Sequence, residues 1–186
     1  MKKWIIGSIV GAVIVFAWQA LSWMLIDLHA PEHKYTGAQD QVLSTLNSAN
    51  LEDGTYMLPT AKPGSTREEM KQVWKNSDGK PWAIVTYGKA ASAEMTTPMI
   101  MGFIIDIILV VLLISILVRG GLPSFVGIVT GCIAVGIFSF LWGPYMMHNW
   151  YRVPWSSIFG HLIDAVVAWG LCGLWLGWWL RRPVKP

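Results

Sequence analysis

The sequence predicts a mainly α-helical membrane protein: a four-helix transmembrane bundle with a small α/β extracytoplasmic cap inserted between helices 1 and 2. Two observations lead to this prediction, namely four long apolar segments and a polar insert after the first of them. A helix needs roughly 20 apolar residues to cross a bilayer. The four segments are Trp4 to Leu25, Thr97 to Val118, Leu122 to Trp142 and Ile158 to Leu180. The predicted organisation is transmembrane helix 1 in residues 1–27, the cap in residues 28–96 and transmembrane helices 2–4 in residues 97–186.

The composition supports a membrane location and argues against other classes of protein. Of the 186 residues, 54% are hydrophobic and only 13% are charged, whereas about 25% of an ordinary soluble domain is charged. No basic patch is interleaved with exposed aromatic residues, so membrane lipids are expected partners and nucleic acid is not. Cys132 and Cys172 fall inside apolar segments and form no CxxC pair, so no disulfide framework is expected.

The first apolar segment is interpreted as a retained signal anchor. It is longer than the apolar region of a typical signal peptide, and Ala17 to Trp23 contains no Ala-x-Ala cleavage motif. Basic residues in short flanks mark the cytoplasmic side of a membrane protein. Here those residues are Lys2, Lys3, Arg119, Arg181, Arg182 and Lys185. Both termini are therefore expected in the cytoplasm, with the cap and a second loop at residues 143–157 outside.

The insert has enough pattern to predict a folded cap. Ala38 to Asn50 carries apolar residues at helical spacing, and Ser65-Thr66-Arg67-Glu68 resembles a capping box that opens a second helix ending near Lys75. Thr55 to Leu58 and Trp82 to Tyr87 have the β-branched and aromatic composition of strands. The expected order is helix, strand, helix, strand.

Glycine pairs four residues apart predict how the spans pack. Such small-xxx-small pairs allow the backbones of two helices to approach closely. The pairs are Gly7 and Gly11, Gly127 and Gly131, and Gly173 and Gly177. They fit either ordinary packing within one bundle or a dedicated dimerisation face.

Polar residues in the outer halves of the spans form the candidate functional cluster. An ionisable residue inside a bilayer is costly and is by default a functional hypothesis. The predicted intramembrane cluster comprises Gln19, Ser22, Asp106, His161 and Asp164. At 100° per residue, His161 and Asp164 share one face of the fourth span, so both are expected to face the bundle interior with partners from the first or second span. The structural alternative is that these residues only hydrogen-bond between helices.

A metal site is an alternative interpretation of the histidines, and no cofactor is otherwise expected. His29, Glu32 and His33 lie within five residues, and His148 follows two methionines in the second outer loop, so His29, His33 and His148 are candidate zinc or copper ligands. Pro31 is expected to direct His29 and His33 apart, and their spacing is not that of an HExxH motif. The sequence therefore favours histidines that do not converge on one ion.

Two stretches, Phe16 to Trp23 and Asp53 to Pro59, together with Asp164 in the last span, carry a resemblance to known proteins. They resemble small uncharacterised bacterial four-span inner-membrane proteins. The resemblance implies a bacterial inner membrane and supplies no activity.

Two functions remain open at this point. No Ser-His-Asp arrangement, P-loop or dinucleotide fingerprint is present, so the first expectation is a non-enzymatic accessory or scaffolding protein that self-associates or joins a larger membrane complex. The second is a membrane enzyme or transport-related protein that uses Asp106, His161 and Asp164 for handling protons or a metal. A ligand-sized cavity lined by those three residues favours the second function, and a closed, dry interior favours the first.

Overall fold

A computed structural model describes residues 2–183, so Lys185 of the basic C-terminal flank lies outside the described residues. The chain divides into two compact units, one formed by Met1–Lys34 and Glu94–Pro186 and the other by Tyr35–Ala93. In chain order the elements are α1 (Lys2–Met24), a 3₁₀ turn (Ala30–Glu32), α2 (Gln39–Ser48), β1 (Gly54–Leu58), α3 (Arg67–Asn76), β2 (Ala83–Tyr87), α4 (Thr96–Leu117), α5 (Phe125–Trp142), α6 (Pro144–Tyr151) and α7 (Trp155–Arg181).

The first unit contains four helical segments that are long and apolar enough to cross a membrane: α1, α4, Phe125–Tyr151 and α7. Large apolar side chains cover much of their outer surface, as Ile5, Val126 and Phe138 illustrate. An apolar surface of this extent is unusual for a soluble monomer. Length and composition thus indicate a multi-pass membrane protein.

The third apolar segment extends further than expected. The predicted loop at residues 143–157 is largely helical, because α6 begins directly after a bend at Gly143. Pro144 favours a new helix start, since its missing N–H would have no partner in the first turn. Arg152 then adopts a left-handed conformation with φ of 53° and Pro154 precedes α7, so only residues 152–154 connect the two helices.

Helix α7 packs against both α1 and α5, and α4 packs against α1 and, less extensively, against α5. Five of the six predicted packing glycines lie at these contacts: Gly7, Gly11, Gly131, Gly173 and Gly177. A Cβ atom on Gly173, for example, would lie 3.0 Å from Cβ of Cys132. At Gly127, in contrast, a Cβ would meet Ser124 and Pro123 at the start of its own helix.

Among the described glycines, Gly136 makes the closest approach to another helix, and it is not one of the predicted pairs. A Cβ on Gly136 of α5 would lie 2.1 Å from the carbonyl oxygen of Ala165 in α7. No real Cβ atom approaches a backbone oxygen so closely, so only glycine fits between these two helices without a backbone shift.

The second unit contains an antiparallel two-stranded sheet in which Gly54 of β1 pairs with Tyr87 of β2 and Leu58 with Ala83. Helix α3 lies between the strands in the chain and begins with a capping box. The box uses Thr66 and Glu69, one residue later than the predicted Ser65 and Glu68, because the hydroxyl of Thr66 accepts the backbone N–H of Glu69.

Candidate functional site

The segment that follows α1 brings a histidine into the interior of the helical unit. The side chain of His29 is buried, with 2% of the residue exposed, and its ring stacks on Trp23 at a centroid distance of 3.8 Å. Gly160 of α7 permits this approach, since a Cβ there would lie 2.9 Å from the carbonyl oxygen of Leu28. Residues 28–34 therefore belong with the helices, although the sequence placed them in the cap.

Four side chains form a connected His–carboxylate cluster, which we define as His29, Glu32, His161 and Asp164. Nε2 of His29 lies 2.8 Å from Oδ2 of Asp164, and Nδ1 of the same ring contacts Oε1 of Glu32. Nε2 of His161 lies 3.1 Å from Oε1 of Glu32. The two imidazoles thus share one carboxylate, and a second carboxylate occupies the other side of His29.

Asp164 is held in place by two donors from α1. The indole N–H of Trp18 donates to Oδ1 of Asp164 over 2.8 Å, and the Ser22 hydroxyl donates to the same oxygen over 2.7 Å. Trp18 and Ser22 are four residues apart and therefore lie on one face of α1. These two bonds leave Oδ2 of Asp164 to accept from His29.

Asp106 forms a separate polar contact deeper in α4. The side-chain amide of Gln19 donates to its Oδ1 atom over 3.3 Å. Asp106 is 3% exposed, and its Oδ2 atom has no hydrogen-bond partner among residues 2–183. Nearly all buried polar atoms in proteins are hydrogen-bonded to the chain or to ordered water, so Oδ2 of Asp106 is an open acceptor position.

A cavity of about 680 Å³ connects these polar groups. It is lined from all four long helices, with Phe16 and Trp23 of α1, Met99 of α4, Phe140 of α5 and Trp169 of α7 among its apolar walls. Its polar lining residues are Gln19, Asp106, Ser139, His161 and Asp164. Among the described residues that line it, none is a lysine or an arginine, so the ionisable groups at its wall are two carboxyls and one imidazole.

The predicted polar residues thus fall into two separate groups, one around the His–carboxylate cluster and one at Asp106. Ser22 joins Asp164, Gln19 joins Asp106, and His161 reaches Glu32. The sequence analysis did not identify Trp18 or Gly160 as residues of the site. Trp18 was interpreted as part of an apolar run, although its position four residues before Ser22 places its N–H on the same polar face.

The three histidines considered as metal ligands are not brought together. His148 on α6 contacts the carbonyl oxygen of Val153 through Nδ1 at 2.7 Å, and the ring of His33 lies 6.2 Å from that of Trp23. Among the described residues, the group with ligand atoms close enough for one ion is His29, Glu32 and His161. His33 and His148 are replaced by a carboxylate and by a histidine that the sequence had placed in the intramembrane cluster.

Comparison with known proteins adds no assignment to this geometry. No family model matches the chain, and no curated protein and no solved structure matches it either.

Proposed function

We propose that this chain is a transport-related membrane protein whose cavity binds a small apolar molecule carrying a protonated amine. The observation that carries the proposal is the buried Oδ2 atom of Asp106, which has no hydrogen-bond partner among residues 2–183 and belongs to a residue that lines the cavity. Once a rotation of the Asp106 carboxyl group turns that oxygen toward the cavity, an ammonium group there would supply it with both a hydrogen bond and a compensating charge.

The remaining lining residues fit the apolar part of such a ligand. A volume of about 680 Å³ falls within the range of roughly 300–1,000 Å³ typical of small-molecule sites. Phe16, Trp23, Phe140 and Trp169 offer aromatic surface, which attracts cations as well as apolar groups. An anionic ligand would meet carboxyls and no lysine or arginine among the described lining residues.

The proposed setting is a bacterial inner membrane with both termini in the cytoplasm and the second unit outside. The basic residues that support this orientation lie at one end of the helical unit. Lys3 donates to the carbonyl oxygen of Arg182, and Arg181 donates to that of Pro123 over 2.8 Å. Basic residues gathered at one membrane face are typical of the cytoplasmic side.

An accessory or scaffolding role is the competing proposal, and the packing of the glycines weakens its basis. Five of the six glycines that suggested a dimerisation face contact other helices of the same chain, as Gly11 does with Val110 and Cys172. The cavity, in contrast, has no role in a purely structural account. Ligand binding is therefore the function that the geometry favours.

The test uses the full chain in lipid nanodiscs and dansylcadaverine, an apolar fluorophore that carries a primary amine. We expect saturable binding by the wild type and a loss of affinity of roughly 10- to 100-fold in Asp106→Asn, because a hydrogen bond to a charged group contributes about 1.5–3 kcal/mol. Ala20→Phe, which fills the cavity, should abolish binding. Asp40→Asn, on exposed α2, is the matched control and should bind as the wild type does.

N-acetylated dansylcadaverine has the same fluorophore without the charge and should bind weakly to every variant. Equal affinity of the wild type and Asp106→Asn for the amine would contradict the proposal. Equal affinity of the wild type for the charged and acetylated probes would contradict it as well.

A further inference from the structure

We propose that Nδ1 of His29, a carboxylate oxygen of Glu32 and Nε2 of His161 bind one divalent transition-metal ion, with zinc as the probe. Ligand-capable atoms of these three residues all lie within 4.8 Å of one another. Nε2 of His161 is 3.1 Å from Oε1 of Glu32, close to the separation of neighbouring ligands around an ion with bonds of about 2.0–2.2 Å. Small movements of the side chains would therefore complete the site.

The donor set has the chemistry of a known class of metal sites. Two imidazoles and one carboxylate bind zinc in many hydrolytic enzymes and also suit other first-row divalent metals. Three protein ligands leave at least one coordination position for water or another molecule. Because His161 also lines the cavity, such a molecule would be bound at the cavity wall.

The orientation of His29 is a second and independent observation in favour of a metal. Its Nε2 atom lies 2.8 Å from Oδ2 of Asp164. With the ring proton on Nε2, the N–H would donate to this carboxylate and the lone pair of Nδ1 would be available to an ion. Metal-binding histidines almost always donate their other ring N–H to a carboxylate, a carbonyl or water. Nδ1 of His29 then points toward Glu32, where the ion would lie.

Neighbouring residues fix the positions of Asp164, of the His29 ring and of the segment that carries Glu32. Trp18 and Ser22 fix the carboxylate of Asp164 through its other oxygen, and the indole of Trp23 covers the face of the His29 ring at an interplanar angle of 3°. The hydroxyl of Ser157 donates to the carbonyl oxygen of Pro31 over 3.2 Å. Glu32 is thereby attached to the same helix that carries His161, so the ligands are arranged before any ion arrives.

A metal-free network is the alternative account of the same contacts. In that account the two ring nitrogens of His29 only hydrogen-bond to the carboxylates of Glu32 and Asp164. The two accounts differ in the behaviour of added zinc, because a satisfied hydrogen-bond network has no reason to bind one equivalent of it. The metal proposal does not depend on the proposed amine ligand, since zinc binding is measured without that ligand.

The experiment uses the full chain, purified in detergent through a tag without histidine and stripped with a chelator. Zinc is then titrated in competition with a chromophoric chelator. We expect one equivalent of tightly bound zinc in the wild type. His161→Ala and Glu32→Gln each remove a ligand, so they should weaken binding by more than the 10- to 100-fold that loss of a supporting residue costs.

Asp164→Asn tests the orientation of His29 separately. Its amide can donate to Nε2 and thereby place the ring proton on Nδ1, so we expect a loss of zinc affinity within that 10- to 100-fold range. His33→Ala and His148→Ala are matched controls and should retain the wild-type affinity. Thermal unfolding of each apoprotein establishes that the variants are folded.

Three results would overturn the proposal. The first is an absence of stoichiometric zinc binding by the folded wild type. The second is wild-type affinity in both His161→Ala and Glu32→Gln. The third is a loss in His33→Ala or His148→Ala as large as that in His161→Ala, which would place the zinc elsewhere.

Discussion

Nε2 of His29 and Oδ2 of Asp164 lie 2.8 Å apart, although 135 residues separate them in the chain. Their contact ties the segment after α1 to the middle of the fourth long helix. His29 is buried and the side chain of Asp164 is 17% exposed, so little water competes for the bond. The contact fixes where residues 28–34 lie relative to the helices of the first unit.

Removal of the Asp164 carboxylate should destabilise the helical unit. In Asp164→Ala, the N–H of Trp18 and the hydroxyl of Ser22 lose their acceptor, and each buried polar group left without a partner costs about 1–3 kcal/mol. Asp164→Asn should lose less, because its amide oxygen still accepts from both donors. Unfolding of the purified protein by a denaturing detergent measures the difference. An equal effect from Asp40→Ala, at an exposed site, would argue against this role.

Glycine is required at position 160 for the close approach of the segment after α1. In Gly160→Ala the new Cβ would lie 2.9 Å from the carbonyl oxygen of Leu28 and 3.1 Å from Cε1 of His29. We expect the free energy of unfolding to fall by about 1–3 kcal/mol, the usual cost of overpacking. Gly170→Ala on the same helix is the matched control, because its nearest neighbour is Ile133 at 3.8 Å. Equal stability of the two variants would show that residues 28–34 do not pack as described.

The four long helices were predictable because hydropathy is a local property that a window of about 20 residues records. Ser65 and Thr66 show the limit of local patterns. Each is followed three residues later by a glutamate, Glu68 and Glu69 respectively, so the sequence permits two registers of one capping box. The sequence does not decide between the two registers. In the structure, the backbone is extended at Thr66 and helical from Arg67 onward, which makes Thr66 the N-cap. The sequence did not predict the helix after Gly143, because that segment has only eight residues and its polar residues His148 and Asn149 are adjacent, so it shows no clear helical period.

For the candidate site, the sequence predicted which residues share a face of one helix, but not which residues of different helices contact each other. The face that His161 and Asp164 share follows from helical spacing, which the sequence contains. The partners of Asp164 do not follow from it, because Trp18 lies 146 residues away and many helix rotations would satisfy the same hydropathy. In the sequence, Glu32 is recognisable as a carboxylate between His29 and His33. Its contact with His161 in place of His33 depends on the packing of α1 against α7.

The capping box of α3 should make the second unit sensitive to acid. The pKa of Glu69 lies below its ordinary value of 4.5 because the carboxylate accepts the backbone N–H and the hydroxyl of Thr66. A lowered folded-state pKa means that the stabilisation is complete above pH 4.5 and is lost as the pH falls below it through the folded-state value. Amide exchange at Thr66 should therefore accelerate over that interval.

Glu69→Gln provides the control for this pH dependence. Glutamine retains the capping geometry without a titratable group, so amide exchange at Thr66 should lose the acid-induced step once the intrinsic exchange rate is corrected for. An identical step in Glu69→Gln and in the wild type would assign the effect to another group.

The orientation of the chain in the membrane is tested by reporter fusions on both sides. Fusions after Pro186 and between Gly120 and Gly121 should report the cytoplasm, because Arg119, Arg181 and Arg182 flank these positions and basic flanks remain on that side. A fusion within residues 62–64, in the turn before α3, should report the outside. Each position is fused in turn to two reporters, one that is active only outside the cytoplasm and one that is active only inside it. The two readings at a position should be opposite, and each then serves as the control for the other. A cytoplasmic result at residues 62–64 would reverse the orientation. The His–carboxylate cluster would then lie toward the cytoplasmic half of the membrane, because His29 follows the end of α1 whereas Lys3 and Arg182 lie at the opposite end of the helical unit.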